Sequence, residues 1–206
     1  MLNARGRLVA AALPILFAAQ LRAADVLRLD ADGRPLDASA APSAAACVVD
    51  PASGLTWEVK TRDGGMRDMR WTYTPYDSNP DTNGGFVGYR DTTSGECIRD
   101  ALPGGSCNTE AYIMAINARR LCGFDDWRLP ATAELMAVAA QTSSAPPGTD
   151  DALLANIGEG WYWTGVERFG VAAFSRVVLL PPAAQPSFYD GSYLLLLVRD
   201  EANELP

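Results

Sequence analysis

Four oxygen-bearing side chains, Asp77, Asn79, Asp81 and Asn83, stand at alternate positions of one short segment and are followed by Gly84. Oxygen ligands at every second residue are how calcium loops wrap one centre, so the segment reads either as a calcium site or as a loop of Asx turns. Pro80 interrupts the pattern, Thr82 occupies the place of a sharp-turn glycine, and no bidentate Glu follows at the right distance. Aromatic residues gather just ahead of it, as Trp71, Tyr73 and Tyr76, and again at Trp161, Tyr162 and Trp163. Flat rings with a polar edge suit sugar faces and protein partners alike, which makes Trp71, Tyr73 and Tyr76 the candidate ligand contacts. Trp161 and Trp163 would share one face of an extended segment and are read as core, as are Trp57 and Trp127.

Other chemistry is poorly supplied. The chain has no histidine, so the usual general base at neutral pH is missing. Asp125-Asp126 and Asp150-Asp151 pair carboxylates, but adjacent acids more often solvate a turn or cap a helix. Four cysteines, Cys47, Cys97, Cys107 and Cys122, allow three pairings. With residues 109–120 helical, Cys107 and Cys122 stand ~20 Å apart at ~1.5 Å per residue. A disulfide needs its Cα atoms within about 7 Å, so that pairing fails. The favoured bonds are Cys97–Cys107, closing a short Gly-rich loop, and Cys47–Cys122, tying an N-terminal strand to the end of the helix. Zinc is not expected from these spacings without histidine. No enzyme and no cofactor other than calcium is expected.

Residues 1–23 read as a secretory signal: Arg5 and Arg7 form a basic start, residues 8–21 are apolar but for Pro14 and Gln20, and Ala23 and Ala24 suit cleavage. The expectation is an exported protein, in the periplasm, at the cell surface or outside the cell. No later stretch is apolar enough to span a membrane. Seventeen basic against 25 acidic side chains give −8; loss of Arg5, Arg7 and Arg22 with the signal leaves 14 against 25, or −11. That balance argues against nucleic acid, whose binding rests on neutralising phosphates.

The elements that must position these residues follow from periodicity. Residues 24–46, rich in Ala, Asp, Pro and Ser, read as a tether apart from a short strand expected at Val26-Leu27-Arg28-Leu29. A single domain would span 47–200, with 201–206 as a tail. Cys47-Val48-Val49-Asp50 and the alternating Leu55-Thr56-Trp57-Glu58-Val59-Lys60 read as strands around the turn Pro51-Ala52-Ser53-Gly54. Residues 61–106 are loop-like, punctuated by Gly64, Gly65, Pro75, Pro80, Gly84, Gly85, Gly88, Gly95, Pro103, Gly104 and Gly105. Asn108 or Thr109 can cap a helix running to Arg120 with Tyr112, Ile113 and Ile116 on one face. Gly123 suits a left-handed helix end, and Pro130 starts a second helix over about 132–140. A short helix at 152–156 and strands at 161–166, 171–180 and 193–199 complete the chain. Helices in the middle with strands on either side give an α+β fold. The uniformly apolar residues 194–197 predict burial on both faces of the last strand. Arg128 is expected to pair with Asp125 or Asp126.

Several of these segments resemble, in order, the motifs of the Lcl C-terminal domain family. They are Gly54-Leu55-Thr56-Trp57-Glu58-Val59-Lys60-Thr61, Trp71-Thr72-Tyr73-Thr74-Pro75-Tyr76, the Asn83-Gly84-Gly85 turn, Cys107-Asn108-Thr109-Glu110-Ala111-Tyr112, the stretch 121–135 and Val198-Arg199. Trp127-Arg128-Leu129-Pro130 with Glu134-Leu135 is similar, more weakly, to the formylglycine-generating-enzyme group. The resemblance implies a C-type-lectin-like fold, two helices packed on twisted antiparallel sheets. It also implies surface adhesion: an exported, non-enzymatic recognition module binding a glycan or a surface protein through residues 71–95. A structural subunit of a pilus or envelope assembly is the alternative. One departure concerns the second helix, where Ala131 replaces the family's Thr after Pro130. That removes a capping box with Glu134, a loss of about 0.5–2 kcal/mol unless Thr132 caps one residue later.

Overall fold

The structure is a computed structural model and describes residues 26–51, 53–83, 85–90, 95–144, 156–157, 160–165, 175–179, 182–186 and 191–200. The expected signal at 1–23, the helix at 152–156 except Asn156, and the tail at 201–206 lie outside the described residues. The hairpin of β2 (Cys47–Asp50) and β3 (Leu55–Glu58) forms as its alternation predicts, with Val48 opposite Trp57 and Asp50 opposite Leu55. β1 (Leu27–Leu29) adds to β2, and the last strand, β7 (Val198–Asp200), closes on β3. The order is β1-β2-β3-β7, antiparallel throughout. A second antiparallel sheet comprises β4 (Trp161–Thr164), β5 (Ser175–Leu179) and β6 (Pro182–Pro186).

Two helices complete the α+β architecture. α1 (Thr109–Ala118) starts at Asn108, whose side chain accepts the Ala111 N–H at 2.8 Å, one of the donors a helix start leaves unsatisfied. α2 (Thr132–Ser144) is longer than its sequence pattern required and packs against β5 and β6. The N-cap position of α2 keeps half of a capping box: Glu134 accepts the Ala131 N–H at 2.7 Å although Ala131 has no side chain to reciprocate. Thr132 does not supply the missing half, because its hydroxyl lies 3.2 Å from that of Thr164.

Apolar side chains divide between two cores because strand residues alternate faces. Cys47, Val49, Leu195 and Leu197 join Tyr73, Tyr112, Ile116, Trp127 and Trp163 in one cluster. Val48, Trp57, Leu196 and Val198 join Leu135, Val138 and Tyr162 in the other. The apolar run 194–197 therefore feeds both cores in turn, which explains why it lacks the polar alternation of a half-exposed strand. Trp57, Trp127 and Trp163 are buried as expected, with the Trp127 indole N–H on Leu121 O at 3.1 Å and that of Trp163 on Tyr73 O at 2.7 Å. Trp161 is only partly buried.

Both expected disulfides are present. Cys47–Cys122 spans 75 residues and Cys97–Cys107 spans 10. The reading of 24–46 as a tether is corrected over its described part. β1 sits in the sheet, Leu29 and Ala46 are buried, and Arg28 donates to the carbonyls of Asp37, Ala38 and Ala40. Asp30 organises a turn by accepting the N–H groups of Asp32 and Arg34. Gly33, at φ +85°, presses this turn onto the disulfide, where a Cβ would stand 2.5 Å from Cys122 O. The Ala/Asp/Pro composition is that of a turn-rich segment held by tertiary contacts.

One polar cluster is sealed between the sheet and α1. Glu58 and Lys60 are fully buried, with Lys60 Nζ 3.2 Å from the Glu58 carboxylate and 2.7 Å from the Tyr112 hydroxyl. The Tyr112 hydroxyl donates to Glu58, and Glu58 also accepts the Leu197 N–H at 3.2 Å. The ammonium lies 4.5 Å from the Tyr112 ring centroid. Burial pushes the Lys60 amine below its ordinary pKa and the phenols of Tyr112 and Tyr73 above theirs.

Candidate functional site

The long loop after β3 is ordered by a few side chains that take over backbone partners. Asp68 is fully buried and accepts the N–H groups of Gly64 and Arg70 together with a two-pronged contact from the Arg70 guanidinium, both prongs at 2.8 Å. That guanidinium holds the Asp68 carboxyl well below the usual carboxylate range. Beyond it the chain runs out and back as an irregular hairpin, with Tyr76 paired to Gly88, the Asp77 N–H on Val87 O and the Tyr89 N–H on Pro75 O. Gly88 is required there: its φ is +77°, and a Cβ would meet Pro75 O at 2.2 Å.

The start of α1 fastens this hairpin. The Thr109 hydroxyl accepts the Tyr76 N–H at 2.8 Å and donates to Tyr76 O at 2.6 Å. Glu110 accepts the Ser78 N–H. On the return leg Thr74 donates to Tyr89 O at 3.1 Å and the Asn108 amide donates to Arg90 O at 2.6 Å. Asn108 thus serves helix and loop together through the two ends of one amide. The Cys97–Cys107 bond lies immediately beside these anchors, since Thr74 also takes Cys107 O as a backbone acceptor at 3.0 Å.

The three candidate aromatic contacts separate. Tyr73 is 1% exposed and packs on Tyr112 with ring centroids 4.9 Å apart, so its assignment as a ligand contact is corrected: it is core. Trp71 is half-buried, its indole N–H on Gly65 O at 2.8 Å. Tyr76 is also half-buried. The side chains that do face solvent are Val87 and Tyr89, 48% and 46% exposed, which share one side of an extended stretch. Among the described residues the other large apolar side chains left exposed are Val26 and Met114. Phe86 meets the Tyr89 ring edge-on at 6.0 Å. The Asn83-Gly84-Gly85 turn followed by alternating Val87-Gly88-Tyr89 is a hairpin signal that would have found this pair.

The loop proposed for calcium, Asp77, Asn79, Asp81 and Asn83, is organised by Asx turns. Asp77 accepts the Asn79 N–H at 2.9 Å and the Thr82 hydroxyl at 2.6 Å. Asn79 accepts the Asp81 N–H at 3.0 Å, and Asn83, buried, accepts the Gly85 N–H at 2.8 Å. Asp77, Asn79 and Asn83 each accept a backbone N–H two residues on. Among the described residues no group of three or more His, Cys, Asp or Glu stands ready to hold a metal ion.

The ion pairs around the second helix also differ from expectation. Arg128 makes a two-pronged contact with Glu134, both distances 2.9 Å, and reaches Asp200 at 2.8 Å. Asp125 pairs instead with Arg120, and Asp126 takes the buried Arg199 at 2.7 Å, whose guanidinium stacks 3.8 Å from the Phe124 ring centroid. Spacing along the chain favoured the nearer acids, but β7 returns alongside Arg128 through the Arg128–Val198 bridge and brings Asp200 with it. The Arg128 guanidinium lowers the pKa of both Glu134 and Asp200.

These depressed carboxyls set the acid limit of the fold. A carboxyl whose folded pKa lies below its unfolded value contributes stability above that unfolded value, about 4, and loses it as the pH falls through the folded value. Asp68, Glu134 and Asp200 all have this sign. Denaturant midpoints are expected to hold from pH 7 to about 5 and to fall progressively below about 4. A midpoint at pH 2.5 equal to that at pH 7 would contradict these ion pairs.

No curated protein and no solved structure matches the chain. A family model described as the Lcl C-terminal domain matches residues 46–199, which takes in β2, β3, both disulfides, α1, α2, most of both cores and the anchored loop. The chain therefore belongs to the Lcl C-terminal domain family.

Proposed function

We propose that the chain is an exported, non-enzymatic recognition module with a C-type-lectin-like arrangement, binding a glycan or another surface protein through residues 71–95. The observation that carries this reading is the outward pair Val87 and Tyr89 on a hairpin whose backbone is fixed by Thr74, Asn108, Thr109 and Glu110. A contact surface held rigid before binding loses little entropy on complex formation. Tyr offers a large apolar face with a polar tip, suited to either class of partner. The fold reading is supported by β7 closing on the β2–β3 hairpin with helices and a second sheet around it. Export accords with four cysteines all engaged in disulfides. The non-enzymatic reading rests on the absence of histidine and of a free thiol.

The test is a glycan array run beside a pull-down from envelope extracts, each with the wild-type chain, Tyr89→Ala and Val87→Ser. Both substitutions are at exposed positions and should leave stability within about 0.5 kcal/mol. Binding to the captured sugar or protein should weaken by about tenfold or more for Tyr89→Ala, as for an aromatic anchor. Binding that survives both substitutions unchanged would refute the assignment of this surface. A stoichiometric envelope partner that ignores the hairpin would favour a structural subunit of an assembly instead.

A further inference from the structure

The two disulfides differ in how far solvent reaches them. Cys47 and Cys122 are both 0% exposed, the first in β2 between β1 and β3, the second under the turn that Gly33 presses onto its carbonyl. Cys97 is only partly buried, while its partner Cys107 is 3% exposed. A thiol must reach one sulfur to open a disulfide, so a bond with an accessible side is labile and a sealed one resists. A reductant therefore has a way in to Cys97–Cys107 and none to Cys47–Cys122.

The accessible bond is also the one next to the hairpin anchors. Glu96 pairs with Thr72, and Gly95 lies so close to Cys107 that a Cβ there would stand 2.6 Å from both its Cβ and its carbonyl oxygen. That carbonyl accepts the Thr74 N–H at 3.0 Å and the Thr74 hydroxyl at 3.3 Å, and the same hydroxyl lies 3.1 Å from Tyr89 O. Asn108, the next residue, holds Arg90 O. Two thiols cannot sit as close as two bonded sulfurs, and the tight Gly95 contact leaves no slack at Cys107. Opening the bond pushes Cys97 and Cys107 apart and disturbs the contacts through which Thr74 and Asn108 fix Tyr89 and Arg90.

We propose that Cys97–Cys107 is a thiol–disulfide switch for the hairpin surface. Oxidised, it holds Val87 and Tyr89 in place; opened by a dithiol reductant met after export, it loosens them. The first thiolate of the reductant attacks the Cys97 sulfur, the bond to Cys107 breaks, and Cys107 leaves as a thiolate that takes up a proton. Cys107 stands one residue ahead of the Asn108 cap, at the positive end of α1, which favours the departing charge. The second thiolate of the reductant then attacks the mixed disulfide, which releases Cys97 as a thiol and leaves the reductant oxidised to its own disulfide. The functional consequence rests on the hairpin reading of residues 71–95; the switch itself does not.

The probe is dithiothreitol, added in graded amounts to the folded chain lacking residues 1–23, with alkylation and peptide mapping of the thiols that appear. Cys97 and Cys107 should become alkylated at least about tenfold faster than Cys47 and Cys122. At that stage exchange of the Tyr89 amide should accelerate by about tenfold while the amides of β2 stay protected, and oxidised dithiothreitol should restore the slow rate. Binding of any partner that Tyr89→Ala disrupts should weaken by about tenfold on reduction and return on reoxidation. The Cys97→Ser, Cys107→Ser double variant should exchange fast at Tyr89 whether or not dithiothreitol is present. Equal reduction rates for the two bonds, a Tyr89 amide still protected after selective reduction, or protection that reoxidation does not restore would each overturn the proposal. These readouts need no ligand, so they can fail while the hairpin binds, and hold while Tyr89→Ala shows that it does not.

Discussion

Replacing Lys60 by Met is expected to destabilise the fold by about 3–5 kcal/mol, the range for removing one partner of a buried ion pair. Lys60 is the chain's only lysine, and its ammonium is the cation that Glu58 faces in the sealed cluster below α1. Both side chains are at most 3% exposed, so water cannot take over when the ammonium is removed. Glu58 would keep the Tyr112 hydroxyl and the Leu197 N–H, but neither carries a charge to balance the carboxylate. Adding Glu58→Gln should recover much of the loss, because a neutral amide still accepts from Leu197 and no longer needs a cation. Denaturant unfolding of wild type, both single variants and the double variant forms a complete cycle. A single Lys60→Met variant within about 1 kcal/mol of wild type would show that the cluster is hydrated.

The pair also shows which features of this fold the sequence carries on its surface. Leu55 to Lys60 alternates as a half-buried strand should, which is how β3 was readable, yet the polar side of that alternation is as buried as the apolar side. Periodicity reports that two faces differ without saying that one meets solvent. α1 and the two disulfides were legible for a firmer reason. Asn108 has the cap chemistry, and the length of the helix leaves Cys107 and Cys122 no way to meet. β6 was missed because Pro182 and Pro186 read as turn residues, whereas proline is tolerated at strand ends and sheet edges. β1 was legible as a short strand at Val26-Leu27-Arg28-Leu29 within a composition otherwise typical of tethers; the order of the rest comes from Arg28, Asp30 and the turn over Cys122, contacts no local pattern announces.

The binding surface was the least legible part. Tyr73, Tyr76 and Tyr89 are chemically equivalent in sequence, but only the path of the hairpin decides which ring turns inward. Tyr73 lies where the outgoing strand crosses the first core and pairs with Tyr193, so it packs on Tyr112. Tyr89 lies one residue beyond the glycine that lets the return strand approach Pro75, so its ring is left outside. The loop's acids show the same limitation. Their spacing fits a calcium centre and a succession of Asx turns equally well, and the turns are what the backbone contacts display.

The two disulfides should separate global stability from the shape of that surface. Closing 75 residues with Cys47–Cys122 restricts the unfolded chain by about 4.5 kcal/mol in the loop-entropy model, against about 2.7 kcal/mol for the 10 residues between Cys97 and Cys107. Cys47→Ser with Cys122→Ser should therefore lower the denaturant midpoint more, and would also release the Asp30–Arg34 turn that rests on Cys122. Cys97→Ser with Cys107→Ser should be milder globally and more damaging at the hairpin. The Cys107 carbonyl holds Thr74, Thr74 holds Tyr89, and Gly95 backs directly onto Cys107, where an added Cβ would stand 2.6 Å from the Cys107 Cβ. Amide exchange at Tyr76 and Tyr89 should accelerate in this second variant while the amides of β2 and β3 stay protected. Protection at Tyr89 that survives loss of Cys97–Cys107 would mean that Thr109 and Asn108 hold the hairpin unaided. A larger midpoint drop for that variant than for the other would mean that native contacts rather than loop closure set the worth of these bonds.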